Sequence, residues 1–431
     1  MATAVHRGLS PVRTVLSNGA TVLVQPTATH QAVTLLVSVA AGSGFDPSAA
    51  LGTANFVARV IDRGTATRTA DKLAEALDAR GVSLSVGVTR HLMTFSCTCL
   101  TEDVEEVLAL VADVVLEPTF PPDQVEKRRT SIVTSLRQDQ DNPAVVATEA
   151  LMGALYPDGH PYGRLAKGTL ASVQALTRDD LRHFHSTVFG ASTLRVVLVG
   201  EVAPDRAVSL AESAFGPWRA VGASALSPPA PVQATTRSRQ TRVVPGKAQS
   251  DIAYGFVALA RDDPRYYAAS VMNTVLGQYA LGGRLGDNIR ERQGMAYYVF
   301  SSLDANIAPG PLVVRAGINP ANVDRTLNAI DEELTRMAGE GVTPAELADT
   351  KSYLIGSMPR ALGTNAGIAS FLHSADVFAL GLDFDRRLPD LISAVTLDAV
   401  HEVARTLLTP ERATIVIAGP GPGESTREPA S

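Results

Sequence analysis

The stretch LGTANFVARVIDRGT, residues 51–65, has the apolar spacing of a buried helix and closes on a Gly-Thr stop. Within it Asn55 and Arg59 stand four residues apart, with Ala58 on nearly the same face. Polar groups at that spacing ordinarily form a solvated or hydrogen-bonded stripe. Taken alone, the helix makes a weak case for function.

Outward from this helix the chain reads as a sequence of strands and helices. TVLSNGATVLVQP carries Asn18-Gly19 between two alternating apolar runs, a hairpin signal, and AVTLLVSV follows as a buried strand. TADKLAEALDARG is a helix stopped by Gly81, and VSLSVGVTRHLMTFSCTCL gives two strands. A helix with Thr101 as its expected N-cap comes next, then one that starts on Pro121-Pro122 and stops before Pro143. The half ends on the strand TLRVVLVGEV. Residues 220–240 are rich in Pro, Ala, Ser and Thr and read as a linker. Beyond it the order repeats: DIAYGFVALA, a helix, MAYYVFSSLDA and GPLVVRAGIN, two helices, and TIVIAGP. The repetition predicts an α+β chain of two similar lobes, 1–219 and 241–431, each a mostly antiparallel sheet packed with helices. A cleft between such lobes is the usual place for a site.

The bulk numbers agree with a globular chain. The 431 residues are 45% hydrophobic and 19% charged, and the net charge of −6 argues against a general nucleic-acid binder. No apolar run is long enough to span a bilayer, and the N-terminal stretch lacks the apolar core of a signal peptide. The expectation is a cytoplasmic protein, or a periplasmic one if a signal has been removed. Cys97 and Cys99, two apart on a strand, share a face and read as small buried hydrophobes. His183 and His185 point to different faces of a helix, and the other histidines are scattered.

Four stretches, in order and with the duplicated lobe, resemble the M16 peptidases, the pitrilysin-like family that includes the mitochondrial processing peptidase and its bacterial relatives. VLSNGATVLV is similar to the family's opening hairpin, and GTANFVARVIDRGT to the stretch that carries H-x-x-E-H. His160–Gly163, HPYG, matches a recurrent family sequence, and GGRLGDNIRERQGMAYYV resembles the second-lobe motif. The resemblance implies the LuxS/MPP-like metallohydrolase fold, duplicated within the chain.

In H-x-x-E-H two histidines one helical turn apart bind one zinc, the Glu activates its water, and a downstream Glu adds a third ligand. The register set by Arg63-Gly64-Thr65 puts Asn55 and Arg59 where the histidines stand and Ala58 where the Glu stands. The downstream Glu falls on Ser135. Asn is a poor zinc ligand, Arg repels the cation, and Ala cannot act as a base. Arg59 is expected instead to pair with an acid on the neighbouring helix or on a partner.

The second lobe keeps what the first has lost. The resemblance implies that Arg290 binds substrate backbone and that Tyr297 stabilises the oxyanion. On the residues alone, Arg290 pairs with a nearby carboxylate and Tyr297 packs in a strand. Some bacterial relatives divide labour between two half-size chains, one with the zinc helix and one with the Arg/Tyr pair. The resemblance therefore implies a subunit that carries no cofactor itself, beside a homologous partner with intact H-x-x-E-H and its zinc. The substrates would be short or unfolded peptides, with no nucleic-acid or membrane partner. The alternative is a structural or peptide-binding protein of this fold without peptidase activity.

Overall fold

In a computed structural model of the chain, residues 8–28, 31–157, 159–219, 221–223, 228–231, 233–279 and 281–421 are described. The strands form two sheets. The first holds β1 (Val12–Val15), β2 (Thr21–Pro26), β3 (Ala32–Val39), β4 (Ser85–Val88), β5 (Met93–Leu100) and β6 (Arg195–Gly200), in the order β1-β2-β6-β3-β5-β4. The second holds β7 (Ser238–Val243), β8 (Ser250–Val257), β9 (Ala296–Leu303), β10 (Pro311–Ile318) and β11 (Thr414–Gly419), in the order β7-β11-β8-β10-β9. In each sheet the last strand runs parallel to one neighbour, β6 to β2 and β11 to β7. All other pairs are antiparallel. Matched pair by pair, β2, β6, β3, β5 and β4 correspond to β7, β11, β8, β10 and β9. The two sheets share one topology, and β1 is an extra hairpin strand.

Local chemistry explains the elements. Gly19 takes the left-handed conformation (φ 89°) that closes the β1–β2 hairpin, as Asn-Gly predicts. Helix α1 (Thr53–Val60) starts at the buried Asp46, whose carboxylate accepts the backbone N–H of Gly52 at 2.7 Å and of Ala54 at 2.8 Å. Helix α2 (Ala70–Asp78) is capped by the Thr69 side chain and ends ahead of Gly81. Thr101 does not cap helix α3 (Val104–Leu116). It opens a short 3₁₀ turn, Thr101–Asp103, that sets Glu102 and Asp103 ahead of the positive end of the helix. Helix α4 (Pro122–Gln140) follows, then α5 (Pro143–Leu155), capped by Asn142.

By contacts the chain forms two compact units that a single cut at 220–240 does not separate. One comprises 1–136, 165–226 and 357–387, and the other 137–164, 227–356 and 388–431. Of the expected linker, residues 220, 224–227 and 232 lie outside the described residues, and its last three residues begin β7. That strand, SRQTRV, is a largely exposed edge with almost no apolar residue, so its pattern carried no strand signal.

The interleaving follows from where two apolar helix faces dock. Leu151 and Leu155 of α5 pack with Ala253 and Val416 of the second sheet, and Gly255 on β8 lets the helix approach. An added Cβ there would lie 2.9 Å from the Leu151 side chain. In the first unit, Ile368, Ala369 and Leu372 of the helix Asn365–Val377 pack with Leu36, Val197 and Val199 of the first sheet. The HPYG motif fastens α5 in the second unit. Tyr156 donates a hydrogen bond to the Pro309 carbonyl (3.0 Å), and the Tyr162 hydroxyl accepts the Ala308 N–H (3.1 Å). His160 accepts the Tyr162 N–H at Nδ1 (3.1 Å), which leaves Nε2 to donate to the Pro229 carbonyl (2.9 Å).

The remaining candidates settle as structural. Cys97 and Cys99 are buried on one face of β5, and burial pushes their thiols up to about 12 and about 11. His185 is held against the Val115 carbonyl (2.8 Å) while His183 faces solvent. No helix among the described residues is long and apolar enough to cross a membrane.

Candidate functional site

Helix α1 is buried along its length except at Arg59. Asn55 is 8% exposed and Ala58 is 6% exposed. Asn55 and Arg59 open, with Ser135 of α4, onto one pocket of about 140 Å³ in the first unit. The three positions assigned to zinc ligands are thus brought together, while Ala58 does not line the pocket. Its other polar walls are Arg128, Ser131 and Lys167. The donor set is an amide, guanidinium groups, hydroxyls and an ammonium, and zinc requires thiolate, imidazole or carboxylate. These residues do not fit the metal. Among the described residues no three His, Cys, Asp or Glu side chains stand together as a metal site.

The expected acid beside Arg59 is not there: among the described residues it makes no ion pair and no hydrogen bond. The helix that faces it, α4, presents Arg128 instead. The Asp62 carboxylate, three residues on from Arg59, lies 3.1 Å from Arg63, and burial raises its pKa. Lys167 could not be found from sequence, because nothing in the distant LAKGT marks it as a neighbour of Asn55, whereas Arg128, seven residues before Ser135 on the same helix, shares its face and was within reach of helical spacing.

Grafting the missing groups onto this pocket tests the assignment. The triple variant Asn55→His, Ala58→Glu, Arg59→His is expected to bind no tight zinc. Ser135 supplies no third ligand, and Arg128 and Lys167 still line the pocket. The zinc content of the dialysed variant measures this. One zinc per chain would overturn the placement of Ser135.

In the second unit the segment before β9 is locked by polar contacts. Gly282 (φ 114°) starts it in a left-handed conformation, and a Cβ there would meet the Val299 carbonyl at 2.5 Å. Residues Gly286–Arg292 form a π-helical turn, the wide winding that often accompanies functional residues. Asn288 donates to the buried Glu333 (2.7 Å) and accepts from Gln293 (2.8 Å). Arg284 pairs with Glu346 through two bonds of 2.7 Å, which hold the Glu346 carboxyl down at about 2 against the effect of burial.

This framework presents Arg290 and Tyr297 outward. The Arg290 side chain is 40% exposed, and its only ion pair among the described residues is a loose one with Glu291 (3.6 Å). Tyr297 is 77% exposed. Along β9, Tyr298 faces Gly317 and Ala296 faces Ile318, so Tyr297 is the extra residue of a β-bulge. A bulge re-aims the side chain it carries, and here it sits on the edge strand of the sheet. Tyr297 therefore does not pack in its strand. Beside the segment lies a pocket of about 390 Å³, walled by Tyr279, Leu281, Arg284 and Glu291 among others.

Two family models match the chain: "Insulinase (Peptidase family M16)" over residues 21–167 and "Peptidase M16 inactive domain" over 175–354. A protein of Mycobacterium leprae named as an uncharacterized zinc protease is 30% identical over 424 residues, 96% of this chain and 93% of its own. The chain belongs to the M16 peptidase family. A non-peptidase homolog of Helicobacter pylori is 26% identical over 360 residues, covering 82% of this chain and 81% of its own. The crystal structure of a peptidase M16 inactive domain from Pseudomonas fluorescens superposes with a TM-score of 0.90 at 25% identity, over 96% of this chain and 99% of that one. The two α+β lobes are those of the M16 fold.

Proposed function

We propose that this M16 chain is the non-zinc-binding subunit of a two-chain peptidase. It supplies Arg290 and Tyr297 to a homologous partner that carries H-x-x-E-H and its zinc. The carrying observation is the bulge that aims Tyr297 out of the edge strand at 77% exposure. A phenol that only stabilised the fold would be packed, and this one makes no hydrogen bond among the described residues. Arg290 likewise keeps its donors for a group outside the chain. Oxyanion stabilisation depends on where the donor stands, not on which chain provides it.

Peptide substrates suit the surroundings. The free edge of β9 offers backbone groups to an extended chain, and the pocket beside it has apolar and charged walls for a side chain. Zinc activates water on the partner, and this chain's residues bind the backbone and the developing negative charge. A second reading, a structural or peptide-binding M16 protein without peptidase activity, is favoured by the name of the Helicobacter relative.

Native co-purification from the source cells, with the associated chains identified by mass spectrometry, separates the two readings. The expected result is a one-to-one partner of similar length bearing H-x-x-E-H. A chain that comes alone, or only with itself, supports the second reading.

A further inference from the structure

At the place where the family binds a cation, this chain has gathered hydrogen-bond donors. Asn55, Arg59 and Ser135 make no hydrogen bond within the protein among the described residues, yet all three line the same pocket. Arg128, on the same wall, makes no hydrogen bond and no ion pair among the described residues, and its Nε is buried without a partner there. Of these groups only the Arg128 Nε is shut off from solvent without a partner, a costly state unless something meets it. Lys167 adds a third cation to the lining, and no carboxylate lines the pocket. Asp62, 3.1 Å from Arg63, stands outside the lining, though its charge also acts on Arg128. Burial, with repulsion from Arg63 and Arg59 and against the attraction of Asp62, lowers the pKa of Arg128.

We propose that this pocket is an oxyanion site, in which Asn55, Arg59, Arg128 and Ser135 hold a phosphate or a carboxylate where the family's zinc would stand. Arg59, Arg128 and Lys167 can only donate, and Asn55 and Ser135 can add their donors, so the lining favours an anion rich in acceptors, and planar guanidinium groups match both oxyanions. The volume of about 140 Å³ admits one such group and a few waters, each of roughly 30 Å³, and excludes a peptide chain. The chemistry has two sources: free inorganic phosphate, or the terminal carboxylate of a peptide whose body lies outside. The loss of zinc is then an inversion of charge preference at a retained pocket. This inference does not depend on a partner subunit.

Titration calorimetry on the full chain tests it with three probes: inorganic phosphate, acetyl-trialanine with a free carboxylate, and the same peptide as its amide. The expected result is saturable one-to-one binding of phosphate or of the free acid, weakened by added salt. Arg59→Ala, which removes an exposed and unpaired side chain, weakens it at least tenfold, and Ser135→Ala weakens it without changing thermal stability. Binding of phosphate alone assigns the inorganic source, and binding of the free acid but not the amide assigns the peptide terminus. No binding of either probe, equal binding of acid and amide in the absence of phosphate binding, or unchanged affinity in both variants overturns the proposal.

Discussion

Replacing Tyr297 by Phe is expected to lower turnover of the reconstituted two-chain complex at least tenfold, with assembly intact. The ring is kept and only the hydroxyl goes. At 77% exposure the side chain makes no contact on which folding depends, so stability should change by less than about 0.5 kcal/mol. Loss of one oxyanion donor costs roughly 10²–10³ in rate where the donor acts only in the transition state. The loss should therefore fall on kcat and leave KM nearly unchanged. Arg290→Ala, which removes a backbone-binding group, should raise KM instead. Size-exclusion chromatography verifies the complex and steady-state kinetics reads the effect. An unaltered kcat for Tyr297→Phe would show that the exposed phenol has no part in the reaction.

The second large effect is on stability. His373, on the helix Asn365–Val377, is 8% exposed and meets the Ser38 hydroxyl of β3 at 2.7 Å. Burial, helped by the Arg195 cation and opposed by Asp376, holds its pKa down to about 4 from the ordinary 6.5. Asp376 is itself spent on Arg13 and Arg195, each at 2.8 Å. The folded chain thus keeps His373 neutral in a range where the unfolded chain protonates it. Its contribution is complete above pH 6.5 and is lost as the pH falls towards 4, by about 3 kcal/mol in all. Burial lowers the pKa of His185 as well, which acts in the same direction. Urea unfolding at pH 7 and at pH 4.5 measures the change. His373→Asn keeps a polar group opposite Ser38 but does not titrate, so its stability should fall less between the two pH values. Equal slopes for the two proteins would remove His373 as the cause.

The location of His373 shows how far the sequence could lead. The sequence reads as far as the two preceding helices and leaves out this one, whose apolar face holds Ile368, Ala369 and Leu372. It does not say which sheet covers that face. Read along the chain, 357–387 belongs to the second lobe and 137–164 to the first, whereas each packs in the other unit. An apolar stripe has a direction but no address, because burial is non-directional and any complementary face satisfies it.

The sequence by itself determined the Asn18-Gly19 hairpin, the duplication with every strand but β7, and the residue types at 55, 58 and 59. These depend on residue type and short-range spacing, which fix turns, faces and the donors a helix can offer. Ala58 cannot be a base in any fold. Tertiary structure alone decided the interleaved packing, the union of Asn55, Arg59 and Ser135 with Arg128 and Lys167, and the outward aim of Tyr297. Lys167 reaches the pocket across more than a hundred residues of chain. The bulge exists only because the pairing of β9 with β10 slips by one residue near Gly317. Both are properties of long-range contacts, and no local spacing encodes them.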